Sequence, residues 1–368
     1  MASSTHDQHQ LLSNLHGGAT SAPPPTPSTN TNNLLSTSNA ADALSRLLHR
    51  LPPNLSLPTR RSSLSATSPP SLSFPSLTPN QLLSSISKLG YVQLTGHSVS
   101  SELANSAESE SLELFNLSRH QKESLFPQNW PFGYDGGDDE DETLAESFRF
   151  DPSCSTESNS SELTLSSLRV FARALEKVGL SVIDWLMKGL GIENPVGNDP
   201  DRFCSIMWVS ECLTGNKPGS TGGFYPFIVG LQYQIRCEKQ SLLSDSGGWV
   251  SVLPHVDSIL VTIGDIAQVW SNGKLKKVRG RPIATLGDEN DSRCITMSLL
   301  ITLPTESIVA PLLPKVEDNK EEKEININDG EVQDSMFNSI DFEDYAWRVY
   351  HERLLFKDPL DRYRVTQN

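Results

Sequence analysis

A change of sequence texture after Pro200 constrains the fold more than any other feature. Beyond that residue, short apolar stretches rich in β-branched and aromatic residues alternate with Gly, Asn and Asp. These stretches are Phe224–Ile235, Trp249–Leu253, Ile259–Ile263, Val269–Trp270 and Ile295–Leu303. Many short strands separated by turn residues are typical of a β-sandwich or jelly roll. We therefore expect a mainly β core in this half of the chain.

Helical patterns lie on either side of the predicted β core. Leu163–Leu190 is the strongest, since apolar residues recur at three- and four-residue steps before Gly191. Shorter helices are predicted over Asn80–Lys88 and Ser101–Leu114, and a closing amphipathic helix over Asp341–Leu355. Helices first, a β core second and a helix last predict an α+β fold, mainly β in its core.

The amino-terminal residues differ in composition from the rest. Residues 1–72 are rich in Ser and Pro, and such a stretch buries too little apolar surface to offset the entropy of ordering, so we expect a disordered tail. Residues 73–200 then form a helical region, and residues 201–365 form the β core with its closing helix. The Ser-rich amino terminus leaves a chloroplast address open, although five scattered cysteines favour a reducing compartment and we expect the cytoplasm.

Charge and hydropathy exclude two classes of partner. The formal net charge of −15 argues against nucleic acid and anionic membranes, which both need a basic face. No apolar run approaches the roughly 20 residues that a membrane-spanning helix needs. The expected partner is therefore an unknown protein or a small molecule.

Several local motifs occur in an order known from one enzyme family. Gly90–Val99 reads GYVQLTGHSV, Gly248–Val252 reads GWVSV, and Ile263–Val278 reads IGDIAQVWSNGKLKKV. The chain resembles the plant-type iron(II)/2-oxoglutarate-dependent dioxygenases (isopenicillin N synthase-like) over about Phe74–Val365, because that family shows Gly-Phe-Phe…Asn-His-Gly, a tryptophan strand and Gly-Asp-x-x-Gln…Ser-Asn-Gly-x-x-Lys-Ser-Val at these places. Asn272–Gly273 also predicts a tight turn independently of the resemblance.

The resemblance implies a double-stranded β-helix, or jelly roll. In active relatives the mouth of this fold holds iron(II) on two histidines and one carboxylate, and the remaining iron positions bind 2-oxoglutarate and dioxygen. The same comparison implies where these ligands should stand. It places Tyr225 at the first histidine, Phe227 at the carboxylate and Gly280 at the second histidine, so all three ligands are replaced.

The histidine count supports this absence without any alignment. Of eight histidines, only His255 falls in the β-rich region before the closing helix. His255 and Asp257 imitate the family's His-x-Asp motif, but they follow the tryptophan strand instead of preceding it. We expect them on an exposed turn. An alternative is a rearranged metal site that uses His255 and Asp257.

The cosubstrate site is altered as well. The family holds the distal carboxylate of 2-oxoglutarate with Arg-x-Ser on one strand, whereas Arg293 here is followed by Thr296 three residues later. Because strand residues alternate in direction, Thr296 should face away from Arg293 unless a bulge intervenes. Arg293, Tyr225 and Phe227 remain the candidates for a cosubstrate-like pocket.

The segment around Asn272–Gly273 is basic in an otherwise acidic chain. Its cations are Lys274, Lys276, Lys277, Arg279 and Arg281. We expect them to be solvated, with docking to an acidic partner or to the chain's own acidic loops as the alternative.

These patterns leave three functions open. The favoured one is a catalytically inactive dioxygenase-like protein, with no iron or 2-oxoglutarate, that binds or regulates a partner. The others are an active oxidoreductase with the rearranged site and a purely structural chain with a collapsed pocket.

Overall fold

The computed structural model describes residues 66–136, 146–152, 165–193, 195, 203–211, 224–285, 295–312, 335–352 and 358–365. All of them belong to one structural unit, Ser63–Asn368. The strands, in chain order, are β1 (Ser71–Ser73), β2 (Tyr91–Thr95), β3 (Gly133–Asp135), β4 (Ser147–Phe150), β5 (Cys204–Glu211), β6 (Val229–Tyr233), β7 (Lys239–Ser244), β8 (Trp249–Val252), β9 (Ile259–Ile263), β10 (Val278–Thr285), β11 (Ile295–Thr302), β12 (Ile308–Val309) and β13 (Ile340–Asp341).

The described α-helices cover both halves of the chain. They are α1 (Pro79–Ile86), α2 (Ser101–Asn116), α3 (Arg119–Leu125), α4 (Ser166–Leu190), α5 (Asp265–Trp270) and α6 (Phe342–Glu352). A short 3-10 helix at Pro359–Tyr363 follows. None of the helices in the described ranges is long and apolar enough to cross a membrane.

Eleven of these strands form one large and one small sheet that pack together, and β12 and β13 form a separate two-stranded sheet. The large sheet has eight strands in the order β1-β2-β9-β6-β11-β5-β4-β3, and the small one has the order β10-β7-β8. Neighbouring strands are antiparallel except for the parallel pair β1 and β2. A buried cluster joins the two sheets, with Tyr91 and Leu260 from the large sheet and Leu242, Val252 and Val278 from the small one. The predicted α+β fold with a β core is confirmed.

Helix α4 packs on the other face of the large sheet. Its buried stripe has the expected helical spacing, and a Cβ on Gly179 would overlap the ends of Ile301 on β11 and Leu231 on β6. Met297 of β11 contacts Ser111 of α2 on the same face. Odd-numbered residues of β11 therefore face the helices, and even-numbered ones face the space between the large and the small sheet. The two packed sheets are called the barrel below, and the space between them is its inside.

Two sequence expectations need correction. The tail boundary at residue 72 is too late, because Thr67 bridges to Val252 and Ser71–Ser73 pairs with β2; residues 1–65 lie outside the described part. The expected strand at Val269–Trp270 is instead part of α5. All six residues of α5 are buried, so its apolar pattern has no period that separates a helix from a strand. The Asn272–Gly273 turn is present, with φ of 48° and 78°, but it follows a helix.

A carboxylate from α2 caps the amino end of α4. The side chain of Leu165, at the cap position, offers no acceptor, whereas the Glu110 carboxylate accepts hydrogen bonds from Ser167 N at 2.9 Å and Leu168 N at 2.8 Å. A negative charge there also favours the positive end of the helix dipole.

We expect Glu110→Ala to lower the free energy of unfolding by about 1 kcal/mol, because the two amides lose their acceptor. Denaturant unfolding measures the loss. Glu113→Ala, on an exposed face of the same helix, should change it by less than about 0.5 kcal/mol. Equal losses in both variants would show that Glu110 does not cap α4.

Candidate functional site

Residues 224–228, which were expected to carry two of the iron ligands, lead into β6. They lie beside the Gly264–Asp265 turn that follows β9. Gly264 N donates to Ile228 O at 3.0 Å, and Ile266 N donates to Phe227 O at 3.2 Å. These bonds fix residues 224–228 against the Gly-Asp turn and the start of α5. This end of the barrel, where β10 also begins, is called the mouth below.

Phe224 packs directly on Gly280 at the mouth. Gly280 has a φ of 72°, in the left-handed region that favours glycine. A Cβ built on Gly280 would overlap the Phe224 ring, so a side chain such as histidine does not fit there without displacing that ring. The structure thus brings Phe224 against Gly280, the residue that the resemblance places at the second histidine. Sequence reasoning did not single out Phe224.

Tyr225 and Phe227 are buried among other aromatic rings. Tyr225 is 4% exposed, and its ring centroid lies 5.8 Å from that of Trp130 and 6.1 Å from that of Phe342. Burial raises the pKa of the Tyr225 phenol well above its usual value, so it is neutral and uncharged at physiological pH. Phe227 is 1% exposed. Phe224, Tyr225 and Phe227 are called the aromatic plug below.

His255 and Asp257 lie on an exposed turn between β8 and β9, as expected. His255 Nε2 is 3.3 Å from Ser68 Oγ, and the Asp257 carboxylate accepts a hydrogen bond of 3.0 Å from Tyr233 OH. Asp257 has a φ of 57°, and its carbonyl bonds His97 Nε2 at 3.0 Å. Both side chains therefore form hydrogen bonds on the outside of the barrel.

A buried ion cluster closes the mouth from the carboxy-terminal side. Lys277, which we expected to be solvated, is 1% exposed, and its ammonium pairs with the carboxylates of Asp265 and Asp358, the latter at 2.7 Å. Arg279 adds a second cation 3.6 Å from Asp358. The basic segment thus binds the chain's own acidic residues, which was the alternative.

The pKa shifts of this cluster follow from its charges. Burial alone would lower the pKa of Lys277, but attraction to Asp265 and Asp358 raises it above its usual value. Burial would raise the pKa of Asp358, but Lys277 and the Leu360 amide lower it. Both shifts favour the charged pair.

The described residues line one small cavity at the mouth. A cavity of about 20 Å³ lies between Phe224, Gly280 and the ion cluster, and it is bounded on the carboxy-terminal side by Val349 and Pro359. This volume holds about one water molecule.

The cosubstrate candidates are only partly described. Arg293 lies outside the described residues. Thr296 and Ser298, on the inner face of β11, are both buried, and Thr296 Oγ1 lies 2.7 Å from Ser210 Oγ on β5. The inside of the barrel is thus polar although the aromatic plug is not.

Comparison with known proteins identifies the domain. Residues 227–299 match the family model "2OG-Fe(II) oxygenase superfamily". These residues are a 2OG-Fe(II) oxygenase superfamily domain. The match begins at Phe227 and includes Gly280, so it covers residues of the mouth.

Curated relatives are plant oxygenases. Gibberellin 2-beta-dioxygenase 1 of Arabidopsis thaliana is 27% identical over 216 residues, which cover 51% of this chain and 64% of the relative. 1-Aminocyclopropane-1-carboxylate oxidase 1 of Doritaenopsis sp. is 26% identical, with 53% and 59% covered. 1-Aminocyclopropane-1-carboxylate oxidase 2 of the same plant is 23% identical, with 72% and 82% covered. The chain thus spans less than two thirds of two of these relatives.

Solved structures agree on the fold. JOX2 in complex with 2OG, Fe and JA has a TM-score of 0.63 at 17% identity, covering 87% of this chain and 97% of JOX2. The dioxygenase for auxin oxidation in rice has a TM-score of 0.58 at 17% identity, covering 81% of this chain and all of that one. At such identities the likeness shows the jelly-roll fold of the 2OG oxygenases and nothing finer.

The residues at the mouth do not fit the iron of this superfamily. Iron(II) in such sites takes imidazole and carboxylate ligands. The residues of the aromatic plug and Gly280 offer none, and the described ranges contain no group of three His, Cys, Asp or Glu side chains arranged for a metal.

We expect Gly280→Ala to lower the free energy of unfolding by about 2–4 kcal/mol, from left-handed strain plus overlap with Phe224. In a Phe224→Ala background the overlap disappears, and the loss should fall to about 1 kcal/mol. Gly191→Ala is the matched control, since its φ is 69° and a Cβ there meets no atom within 4 Å. A loss at Gly280 that is the same with and without Phe224 would contradict this packing.

We expect Lys277→Met to cost about 3–5 kcal/mol, because it leaves two carboxylates buried without their main cation. Lys274→Met, at an exposed position, should cost less than about 0.5 kcal/mol. Denaturant unfolding at about pH 3, 7 and 11 measures both.

The stabilisation from the cluster has two pH limits. The lowered pKa of Asp358 makes its contribution present above the unfolded value near 3.9 and lost as the pH falls through the folded value. The raised pKa of Lys277 makes its contribution present below about 10.4 and lost as the pH rises through the folded value. The difference in the free energy of unfolding between wild type and Lys277→Met should therefore be largest near pH 7. A difference that grows towards pH 11 would contradict the stabilising role of the Lys277 ion pairs.

Proposed function

We propose that this chain is a catalytically inactive 2OG-Fe(II) oxygenase-like protein that works by binding a partner. The observation that carries the proposal is the contact of the Phe224 ring with Gly280 at the mouth. The phenyl ring fills the space that the Cβ of a histidine at residue 280 would need, which supports the loss of the second iron ligand.

Burial around the ring supports the same conclusion. Tyr225 and Phe227 are sealed by Trp130, Phe342 and the backbone of the Gly264 turn, and the ion cluster holds Pro359 over the mouth. An enzyme of this superfamily needs open iron positions for 2-oxoglutarate and dioxygen. The cavity that the described residues line at the mouth, about 20 Å³, is too small to provide them.

The geometry does not favour the rearranged metal site. His255 and Asp257 face outward, and the other described histidine near them, His97, bonds the Asp257 carbonyl and not its carboxylate. A site built on His255 and Asp257 would need a large movement of the β8–β9 turn, whose Ser258 is fully buried and bonded to Gln93.

We expect the full chain to give no saturable heat with iron(II) or manganese(II) under anaerobic calorimetry, and no succinate above background from 2-oxoglutarate with iron(II). The reason is that no described cluster supplies metal ligands.

Two variants make the result decisive. Stoichiometric metal binding that is lost in His255→Ala but kept in His120→Ala, an exposed residue of α3, would replace our proposal with an active, rearranged site. Metal binding that survives in both variants would also defeat the proposal, because a ligand set would then exist elsewhere.

A further inference from the structure

The closing helix α6 has one face against the barrel and one face in solvent. The buried face follows the helical period and consists of Phe342, Tyr345, Ala346 and Val349. Trp347 lies on the other face and is 55% exposed. The packing of α6 on the barrel uses the buried face, so it does not account for a tryptophan at this position.

A second exposed apolar side chain lies beside the start of α6. Ile308 of β12 is 71% exposed, and its cross-strand partner is Asp341 of β13, the residue that precedes the helix. Residues directly opposite each other in an antiparallel pair point to the same face. Ile308 and Trp347 are the two most exposed large apolar side chains in the described ranges. Single exposed apolar residues are common, but two such extremes on adjoining elements mark an interaction surface.

Exposed carboxylates surround these two apolar side chains. Asp341 Oδ1 accepts a hydrogen bond of 3.1 Å from Asp344 N, which places this carboxylate at the first turn of α6. Glu343 and Asp344 precede Trp347 by four and three residues, so they lie on its side of the helix. Glu306 lies in the turn before β12, and all four carboxylates are exposed. The Trp347 surface, as it is called below, consists of Glu306, Ile308, Asp341, Glu343, Asp344 and Trp347.

The charge around the Trp347 surface is negative. Arg348, the next residue along α6, points about 100° away from Trp347 and is half-buried. Residues 313–334, which come between β12 and β13 in the sequence, include eight acidic and three basic residues. The whole chain has a formal net charge of −15. A second copy of the chain would bring the same negative charges to this surface, so charge disfavours self-association and favours a basic partner.

We propose that the Trp347 surface binds a basic peptide segment of a partner protein, in which arginine or lysine side chains flank one large apolar side chain. Ile308 and Trp347 contact the apolar side chain, and the four carboxylates pair with the cations. The face of the exposed indole ring also attracts a guanidinium. The inference rests on the proposed function, because it names the class of partner that this protein binds.

The partner segment binds on the outside of the helix that seals the mouth. The buried face of α6 contacts the aromatic plug through Phe342, whose ring centroid lies 6.1 Å from that of Tyr225, and Val349 lines the mouth cavity. Trp347 is on the opposite side of the same helix. Binding therefore needs no access to the inside of the barrel and no movement of the aromatic plug.

The first test is fluorescence anisotropy of the full chain with a labelled, amidated peptide Gly-Lys-Arg-Phe-Arg-Lys-Gly at about 50 mM salt. We expect saturable binding that weakens at least about fivefold at about 500 mM salt, because salt screens the exposed charges. Replacing the phenylalanine by serine keeps the charge of the peptide and should weaken binding about tenfold, since one apolar anchor is lost. The acidic peptide Gly-Glu-Glu-Phe-Glu-Glu-Gly should not bind.

Variants tie the binding to the Trp347 surface. Trp347→Gln and Ile308→Gln should each weaken it about five- to tenfold, and Glu343→Gln about two- to threefold. Val170→Gln, at a position of α4 that is 52% exposed, and Glu113→Gln, at an exposed position of α2, are the matched controls. Both should keep the affinity within about twofold. All five positions are exposed, so the variants should fold, and circular dichroism with the Tm checks this.

Three results would overturn the proposal. They are no binding of the phenylalanine peptide, equal binding of the serine peptide, and binding that Trp347→Gln and Ile308→Gln weaken no more than the two control variants do. In the last two cases the cations bind diffusely to an acidic protein. Succinate formation from 2-oxoglutarate would instead defeat the proposed loss of catalysis and would leave these titrations unchanged. The two proposals can therefore fail separately.

Discussion

The contact between the Lys277 ammonium and the carboxylates of Asp265 and Asp358 organises the mouth of the barrel. It joins the first turn of α5, the start of β10 and the segment before Pro359–Tyr363, which lie far apart in sequence. A buried amine and two buried carboxylates are costly to desolvate, and each is tolerated only because the others are present. The carboxy-terminal segment is therefore held over the mouth by charge as well as by apolar packing.

This cluster and the aromatic plug act together. The family resemblance places serine at Lys277 and histidine at Gly280, so two residues three positions apart both differ at the same end of β10. Glycine at residue 280, where the resemblance places a histidine, leaves room for the Phe224 ring. The other difference introduces a cation that binds Asp265 and Asp358. The cation buried beside this mouth is thus a lysine side chain, and its ion pairs with Asp265 and Asp358 hold the carboxy-terminal segment over the mouth.

Local sequence patterns predicted most of the helices and strands, but not the contacts between segments that lie far apart in sequence. Helix α4 and strands β9 and β11 follow from spacing and turn residues. Helix α5 does not, because burial on every side removes its period. Lys277 was expected in solvent, since its partner Asp358 lies 81 residues away and no local pattern connects them. The same limit applies to the contact between Phe224 and Gly280, which lies where the pairing of β10 with β7 is irregular between Arg279 and Ile283.

The inside of the barrel argues against a chain that is only a scaffold. Gln232 Oε1, Gln240 Oε1 and Ser298 Oγ are buried there without partners among the described residues, in addition to the donors of Arg149 and Trp208. Each unpaired buried polar group costs about 1–3 kcal/mol, and apolar residues of similar shape would avoid that cost. The aromatic plug shows that this chain tolerates apolar residues at its mouth. Polar side chains that remain deeper in the barrel are best explained by a ligand or ordered water that pairs with them, which favours a binding protein over a collapsed structural one.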